Sequence, residues 1–334
     1  MSFEIKYIHC SAETRQEIQS VIDLWNGKSP LYEVKTSGST GTPKSISLKR
    51  EQLEASAKRS NAFFGLNENA SVLMPLSPHT IGGKMMLIRA LVGNYSIDVV
   101  EPSANPLLET DSGKTYSFIS LVPYQVKRIL EETPEKLDQV KCILLGGMGL
   151  SAELEKTLTH IKPAVYIGFG MTETVSHIAL RKMGIPVYSA LDGISLESVH
   201  NNLVISDTKL GIDRMQTTDV VKLIDPTHFE WLGRADFAIN SGGIKIHPES
   251  LERLIDPLID PPFIIGSMPH ETLGEACVLV VEQLLPEAEF ERVKETILEA
   301  FGKYAVPKKQ VVHSILKTES GKIRRKETLN TLSK

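Results

Sequence analysis

The sequence has too few cysteines for a disulfide framework or a cysteine-based zinc site. Cys10, Cys142 and Cys277 are the only cysteines among 334 residues and form no Cys-x-x-Cys pair, whereas both kinds of site need paired cysteines. The chain also lacks any run of about 18 apolar residues, which excludes a membrane-spanning helix. Its first residues, MSFEIKYIHC, contain no apolar signal segment. We therefore expect a cytoplasmic protein without a membrane span.

Neither sign of charge is in strong excess. The chain has 37 Lys and Arg against 41 Asp and Glu, a formal net charge of −4, and 41% of its residues are hydrophobic. This balance argues against a nucleic-acid-binding protein, and the apolar content is typical of a globular chain. The length exceeds that of one average hydrophobic core. We expect a globular enzyme or small-molecule-binding protein.

Short apolar runs alternate with helical patterns through the first half of the chain. Helices separate several of the strands, which are predicted at 71–76, 95–100, 116–122, 141–146 and 164–169. This alternation predicts an α/β fold with a largely parallel sheet and flanking helices. Shorter strands with turn signals over 185–232 predict a smaller, more antiparallel sheet.

The residues that follow LGRAD (232–236) predict a separate α+β domain. An amphipathic helix over 287–301 places on one face the apolar residues Phe290, Val293, Ile297, Leu298 and Phe301. We therefore predict two domains, a core domain over 1–233 and a mobile C-terminal domain over 234–334.

The strongest local signal is TSGSTGTPK at residues 36–44. Small and hydroxylated residues expose backbone N–H groups and Lys44 adds a cation, a combination that suits phosphate oxygens. It is not a Walker A loop, because Pro43 stands where the second glycine is required. The residues alone leave two interpretations open, a phosphate-binding loop and a polar surface turn.

A second glycine-rich segment, GMGLSA at 147–152, matches the G-x-G-x-x-A pattern of dinucleotide-binding folds. The acidic residue expected at the end of the next strand is missing, because that strand ends in Gly168-Phe169-Gly170. We therefore interpret residues 146–152 as a tight turn that lets a ligand approach, with a dinucleotide-binding protein as the alternative.

The segment GFGMTET, residues 168–174, places a glycine-flanked aromatic residue before a hydroxyl and a carboxylate. Such a set can stack on a base and hold a metal ion that is bound to phosphates. Taken alone it is unspecific, and so are the isolated charges Asp219, Arg234 and Lys322.

Taken together, these segments resemble the adenylate-forming superfamily, which includes acyl-CoA synthetases, non-ribosomal adenylation domains and luciferases. TSGSTGTPK looks like its phosphate loop and GFGMTET like its adenine and magnesium motif. TTDVV (217–221) stands where the family has T-G-D. LGRADFAINSGGIKIHPESLE (232–252) looks like the hinge signature, and KTESGKIRRKE (317–327) is similar to the closing G-K motif.

The resemblance implies an enzyme that activates a carboxylic acid with ATP and Mg²⁺ to an acyl-adenylate and transfers the acyl group to CoA. It implies phosphate contacts from Ser37, Gly38, Ser39, Thr40, Gly41 and Lys44. It implies further nucleotide contacts from Gly168, Phe169, Gly170, Asp219 and Arg234.

The resemblance also implies which residues act on the reacting groups. Thr172 would contact the α-phosphate, Glu173 would hold Mg²⁺, and Lys322 would enter the site for adenylation. Asp236 would be the hinge of the C-terminal domain. The edge of the CoA tunnel would be formed by Gly242 and Gly243.

Within the superfamily, SLVPYQVKRIL (120–130), KCILLGGMGLSAEL (141–154) and GMTETVSHIAL (170–180) are similar to the ligases that act on o-succinylbenzoate in menaquinone biosynthesis. This implies an acyl pocket formed by His79, Lys84, Gly146, Gly147 and Ser176. Lys84 and Arg89 follow His79 on one predicted helix, and we expect Lys84 to hold the aromatic carboxylate. The alternatives are another acyl- or aryl-CoA ligase, a carrier-loading adenylation enzyme, or a non-catalytic or dinucleotide-binding protein.

The sequence departs from the family pattern before the phosphate loop, which begins at residue 36. Family members carry a long segment there, so we expect an N-terminal subdomain to be missing. A face normally covered by that subdomain would be apolar, which predicts a homodimer. The expected partners are otherwise a small carboxylic acid, ATP and CoA, without nucleic acid.

Overall fold

The computed structural model describes residues 3–35, 45–111, 113–146, 149–260, 262–317 and 323–332. The helices are α1 (Ala12–Asn26), α2 (Arg50–Phe64), α3 (Ile81–Gly93), α4 (Pro123–Glu132), α5 (Ala152–Leu158), α6 (Pro248–Ile255), α7 (Glu287–Phe301) and α8 (Arg325–Leu332). The strands of the first half are β1 (Ile5–Ile8), β2 (Leu31–Lys35), β3 (Ser45–Lys49), β4 (Ser71–Met74), β5 (Ser96–Val100), β6 (Phe118–Leu121), β7 (Cys142–Leu145) and β8 (Ala164–Gly170). The later strands are β9 (His177–Lys182), β10 (Val187–Ala190), β11 (Ile194–Val199), β12 (Asn202–Asp207), β13 (Ile212–Asp225), β14 (His228–Arg234), β15 (Ile239–Ser241), β16 (Ile244–Ile246), β17 (Phe263–His270), β18 (Gly274–Val281) and β19 (Gln310–Val312).

One large mixed sheet forms the centre of the fold, in the order β1-β5-β4-β6-β7-β8-β9-β10-β14-β13-β12-β11. Strands β1 to β8 of this order pair in parallel, and the pairs from β8 to β11 are antiparallel. The predicted α/β class is confirmed. The antiparallel strands continue the same sheet, because β9 turns back directly onto β8.

The inner parallel strands β4, β5, β6 and β7 are buried on both faces, as helix-covered strands must be. Every residue of β6 is buried, and α3 has an unbroken buried run from Met85 to Ala90. A helix that is apolar on nearly all sides lies inside a fold rather than at its surface. This placement carries Arg89 into the interior.

A second sheet of five strands follows, in the order β16-β15-β18-β17 with β19 beside β18. Its hydrophobic core is separate from that of the large sheet and includes Phe290, Val293 and Ile297 of α7. Leu298 and Phe301, which we expected on the same face, are 49% and 47% exposed. The spacing 290-293-297 already completes the stripe that faces the sheet, so these two residues fall at its edge.

A buried ion pair joins α2 to the antiparallel strands. The Arg59 guanidinium donates to both carboxylate oxygens of Asp207 at 2.8 and 3.1 Å, and both side chains are buried. Asp207 also accepts the backbone N–H groups of Lys209 and Leu210.

Within the described ranges, no helix has the length and apolar character that a bilayer crossing requires.

We expect Asp207→Asn to lower the free energy of unfolding by about 3 kcal/mol, because Arg59 then remains buried without a counter-charge. Urea unfolding followed by circular dichroism measures the change. The matched control is Glu197→Gln, which breaks the exposed pair with Arg214 and should cost less than about 1 kcal/mol. Equal losses in the two variants would contradict the prediction.

Candidate functional site

The predicted phosphate loop is closed by a β-hairpin. Strands β2 and β3 pair antiparallel with Lys35 opposite Ser45, so the described residues that flank the segment 36–44 are neighbours. Helix α2 begins directly after β3. The loop residues Ser37, Gly38, Ser39, Thr40, Gly41 and Lys44 lie outside the described residues, as do Gly147 and Lys322.

A tight turn follows β8 and shapes the site. Val175 has φ 68° and ψ −53°, and the Ser176 N–H donates to the Thr174 carbonyl at 2.7 Å. This is a γ-turn with a buried β-branched residue at its centre, a strained conformation. The Thr174 hydroxyl accepts the Met171 N–H and donates to the Ser176 carbonyl. Backbone strain of this kind has no sequence signal that could have revealed it.

Gly170 lies against this turn so closely that no side chain fits. A Cβ there would stand 2.2 Å from the Ser176 carbonyl oxygen and 2.7 Å from the His177 Cα. Gly168, two residues earlier, faces the His177 Cβ at 3.2 Å. The return of the chain onto β8 therefore requires glycine at position 170, whereas position 168 is only tightly packed.

Thr172 and Glu173 lie on a single 3-10 turn, Thr172–Thr174, at the end of β8. Thr172 is half-buried and Glu173 is exposed. The residues that the structure describes contain no group of three or more His, Cys, Asp and Glu that could hold a metal ion. Mg²⁺ takes one or two protein carboxylates and completes its shell with phosphate oxygens and water, so a single accessible carboxylate fits it.

Phe169 belongs to an aromatic cluster that links β8 to the antiparallel strands. Its ring centroid is 5.1 Å from Phe229 and 5.7 Å from Tyr188, in edge-to-face arrangements. The cluster gives Phe169 a fixed, half-buried position.

Asp219 lies on β13 opposite Arg234 on β14. Its carboxylate is buried and accepts the indole N–H of Trp231 at 2.8 Å. Burial raises the pKa of Asp219, while the Trp231 hydrogen bond and the Arg234 charge lower it. Arg234 itself donates to Thr218 and Asp236. The predicted ribose pair and the predicted hinge residue are thus neighbours.

Arg89 is the buried cation of this region. It is 2% exposed, and its guanidinium donates to the Ser176 Oγ at 2.8 Å. Among the described residues no carboxylate pairs with it, and its Nε is buried without a partner. Burial lowers the pKa of Arg89 to about 10, which still leaves it charged at neutral pH.

His177 adds a second buried polar group beside Arg89. Its Nδ1 lies 3.3 Å from the Ser176 Oγ, and its Nε2 is buried without a partner within the described part of the chain. Burial and the charges of Arg89 and Arg59 hold the pKa of His177 well below its usual range. The imidazole is therefore neutral at pH 7.

The other predicted pocket residues are spread more widely. The Lys84 ammonium donates to the Glu33 carbonyl of β2 at 3.1 Å, and the exposed His79 contacts the Glu17 carboxylate of α1. Gly146 follows β7, and a Cβ there would meet nothing within 4 Å. The structure thus brings Ser176 together with Arg89 and His177, and it directs Lys84 and His79 elsewhere.

Gly242 and Gly243 form the two-residue turn between β15 and β16. Both have positive φ, 58° and 81°, as the tightest hairpin turns require. A Cβ on Gly242 would stand 2.6 Å from the Tyr304 ring, whereas nothing lies within 4 Å of one on Gly243. Asp236 is exposed on the short turn that precedes β15.

Comparisons with known proteins match this chain to one protein family and to several ligases. Residues 11–204 match the family described as AMP-binding enzyme. The 2-succinylbenzoate–CoA ligase of Listeria monocytogenes is 31% identical over 94% of this chain and 73% of that protein. The corresponding ligase of Staphylococcus epidermidis is 27% identical over 87% of this chain and 68% of that protein.

Solved structures show the same fold. An AMP-forming acyl-CoA synthetase-like protein of Dyadobacter fermentans superposes with a TM-score of 0.66 and 32% identity, covering 97% of this chain and 95% of that chain. The O-succinylbenzoate coenzyme A synthetase of Bacillus subtilis, solved with ATP and magnesium ion, has a TM-score of 0.74 and 21% identity, covering 89% of this chain and 69% of that chain.

The fold and the nucleotide motifs define an adenylate-forming enzyme. The chain belongs to the AMP-binding enzyme family. The predicted class, an AMP-forming acyl-CoA synthetase, is confirmed, and ATP, Mg²⁺ and CoA are the cofactors of this class.

We expect Gly170→Ala to lower the free energy of unfolding by about 3 kcal/mol and to abolish nucleotide binding, because the methyl group displaces the backbone of the turn. Urea unfolding and calorimetric titration with AMP measure the two effects. Gly149→Ala is the matched control, since a Cβ there meets nothing within 4 Å. Normal stability and AMP binding of Gly170→Ala would refute the packing argument.

Proposed function

We propose that this enzyme converts o-succinylbenzoate, ATP and CoA into o-succinylbenzoyl-CoA, AMP and pyrophosphate. The observation that carries the proposal is the buried Arg89 guanidinium, which has no carboxylate partner in the described ranges and faces Ser176. The proposal is also supported by the names of the relatives, which are 2-succinylbenzoate–CoA ligases.

A buried, unpaired arginine favours an anionic ligand. Removing a cation from water costs several kcal/mol unless a counter-charge approaches it. o-Succinylbenzoate has two carboxylates, and the aromatic one remains after the other is activated. A guanidinium can bind a carboxylate through two parallel N–H donors. We therefore assign the aromatic carboxylate to Arg89 instead of Lys84, whose ammonium is bound to the Glu33 carbonyl.

The neighbours of Arg89 complete a polar end for the acid. The Ser176 hydroxyl accepts from Arg89 and can donate to the substrate, and the unpartnered His177 Nε2 supplies another polar atom. These groups lie directly after the Thr172–Thr174 turn. An acid held there has its other carboxylate directed toward the nucleotide motif.

In the proposed first step, a carboxylate oxygen attacks the α-phosphorus of ATP and pyrophosphate leaves with the electron pair of the broken P–O bond. Thr172 contacts the α-phosphate, and the loop residues Ser37 to Lys44 hold the β- and γ-phosphates. Glu173 would hold Mg²⁺, which would supply positive charge to the phosphate oxygens. In the second step the CoA sulfur forms a bond to the acyl carbon and AMP leaves, with the thiol proton passing to solvent.

We further propose that residues 1–233 and 234–334 act as two domains that rotate about Asp236. The separate sheets and hydrophobic cores support this division. Lys322 would enter the site during adenylation, and Gly242 and Gly243 would border the CoA tunnel afterwards. The predicted homodimer and the cytoplasmic location remain predictions.

We expect Arg89→Gln to raise the KM for o-succinylbenzoate by about 10- to 100-fold, since a lost hydrogen bond to a charged group costs about 1.5–3 kcal/mol. The KM for 4-oxo-4-phenylbutanoate, which lacks the aromatic carboxylate, should change little. Steady-state kinetics with both acids measure the difference. Lys84→Gln is the matched control, and a selective effect in that variant alone would move the carboxylate site to Lys84.

The function itself is tested by CoA-thioester formation with ATP, Mg²⁺, CoA and a panel of acids that includes o-succinylbenzoate. We expect turnover that strongly favours o-succinylbenzoate, and we expect the Lys322→Ala variant to lose this turnover. Preference for another acid would overturn the substrate assignment. Transfer to a carrier-bound thiol but not to CoA would indicate a carrier-loading enzyme, and NAD binding without ATP–pyrophosphate exchange would indicate a dinucleotide-binding protein.

A further inference from the structure

Trp231 makes a contact that neither the adenylation chemistry nor the family motifs account for. Its indole N–H donates to Oδ1 of Asp219 at 2.8 Å, and it lies on β14, three residues before Arg234. Asp219 is 7% exposed. Its Oδ2 has no hydrogen-bond partner in the described ranges and is not among the fully buried, unpartnered atoms there. One carboxylate oxygen is thus occupied and the other is open.

We propose that Trp231 is a positioning residue for nucleotide binding, which holds the Asp219 carboxylate so that Oδ2 accepts a ribose hydroxyl. This inference rests on the proposed function, because that proposal places the ribose at Asp219. The indole donates one hydrogen bond and occupies one oxygen. The ribose therefore meets a single oriented acceptor in place of a freely rotating carboxylate.

The electrostatic surroundings of Asp219 explain why such a donor is needed. Burial disfavours its ionised form, and the charge of Asp236 acts in the same direction. The Trp231 N–H and the Arg234 guanidinium oppose these effects. Arg234 donates to Thr218 and Asp236. Among the described residues, the side chain that donates a hydrogen bond to the Asp219 carboxylate is the Trp231 indole. A protonated carboxyl accepts a ribose hydroxyl less well than an ionised one.

Helix α6, which precedes strands β17 and β18 of the second sheet, contacts the Trp231 indole and its strand. The Arg253 guanidinium of α6 stands 5.6 Å from the Trp231 ring centroid, within the range of a cation–π contact. Ser250 of the same helix donates to the Leu232 carbonyl at 2.6 Å. In the domain arrangement of this structure, helix α6 therefore restrains both the ring and the strand that carries it, with the N–H directed at Asp219.

The test is Trp231→Phe, which keeps an aromatic ring and removes the N–H donor. Calorimetric titrations of the full chain with AMP and with 2′,3′-dideoxyadenosine monophosphate compare ligands that differ only in the ribose hydroxyls. We expect Trp231→Phe to bind AMP about fivefold more weakly, as the loss of a single hydrogen bond predicts. Its affinity for the dideoxy nucleotide should equal that of the wild type.

Measuring AMP affinity over a pH series distinguishes the loss of the Asp219 hydrogen bond from a general loss of structure. Without the indole donor the pKa of Asp219 rises further, so the loss of AMP affinity on acidification should begin at a higher pH than in the wild type. The matched control is Trp25→Phe, because the Trp25 side chain makes a cation–π contact with Arg50 and no hydrogen bond in the described ranges. That variant should keep both the wild-type affinities and the wild-type pH profile.

The outcomes are distinct. Wild-type-like discrimination between AMP and the dideoxy nucleotide in a folded Trp231→Phe variant would overturn the role of Trp231 and leave the proposed function intact. A wild type that binds both nucleotides equally would show that Asp219 does not contact the ribose, which would overturn this inference and the ribose assignment together. Neither titration requires the acid or CoA, so a wrong acid substrate would not affect the result.

Discussion

The close approach of β8 to the chain that returns from it is the constraint on which the site depends. Gly170 has no room for a side chain beside the Ser176 carbonyl, and the γ-turn at Val175 reverses the chain within a few residues. This reversal places Thr172 and Glu173 at the end of the strand and directs Ser176 and His177 inward. The predicted nucleotide motif and the polar residues of the proposed acid pocket therefore follow one another along a single turn.

The buried Arg89 guanidinium contacts that turn through the Ser176 hydroxyl, and the proposed substrate specificity rests on it. Helix α3 is buried on nearly all sides, and Arg89 within it is 2% exposed. The cost of this burial is the physical reason why the proposed function assigns an acid with a second negative charge to this region. The Arg59–Asp207 pair shows the contrasting arrangement, since there the protein supplies the counter-charge itself and the pair joins α2 to β12.

Periodicity predicted the parallel part of the sheet because its strands are continuous apolar runs between helical patterns. The bounds of α7 agree with the helix predicted over 287–301, since a clear amphipathic stripe marks it. The strands over 185–232, predicted as a smaller, more antiparallel sheet, do pair antiparallel, and they extend the large sheet. A strand pattern carries no information about which neighbour a strand pairs with, and that pairing depends on the turn at Val175.

The order of the motifs by itself determined the enzyme class, because adenylate formation needs a fixed set of residue types in a fixed order along the chain. The sequence also predicts Asp219, Arg234 and Ser176 as site residues. Only the tertiary structure showed that Arg89 contacts Ser176 whereas Lys84 contacts the Glu33 carbonyl. Both residues lie on α3, and the direction of each side chain depends on what the helix packs against. The Trp231 contact was likewise decided by tertiary structure, since it forms across the register of β13 and β14, which no spacing along the sequence encodes.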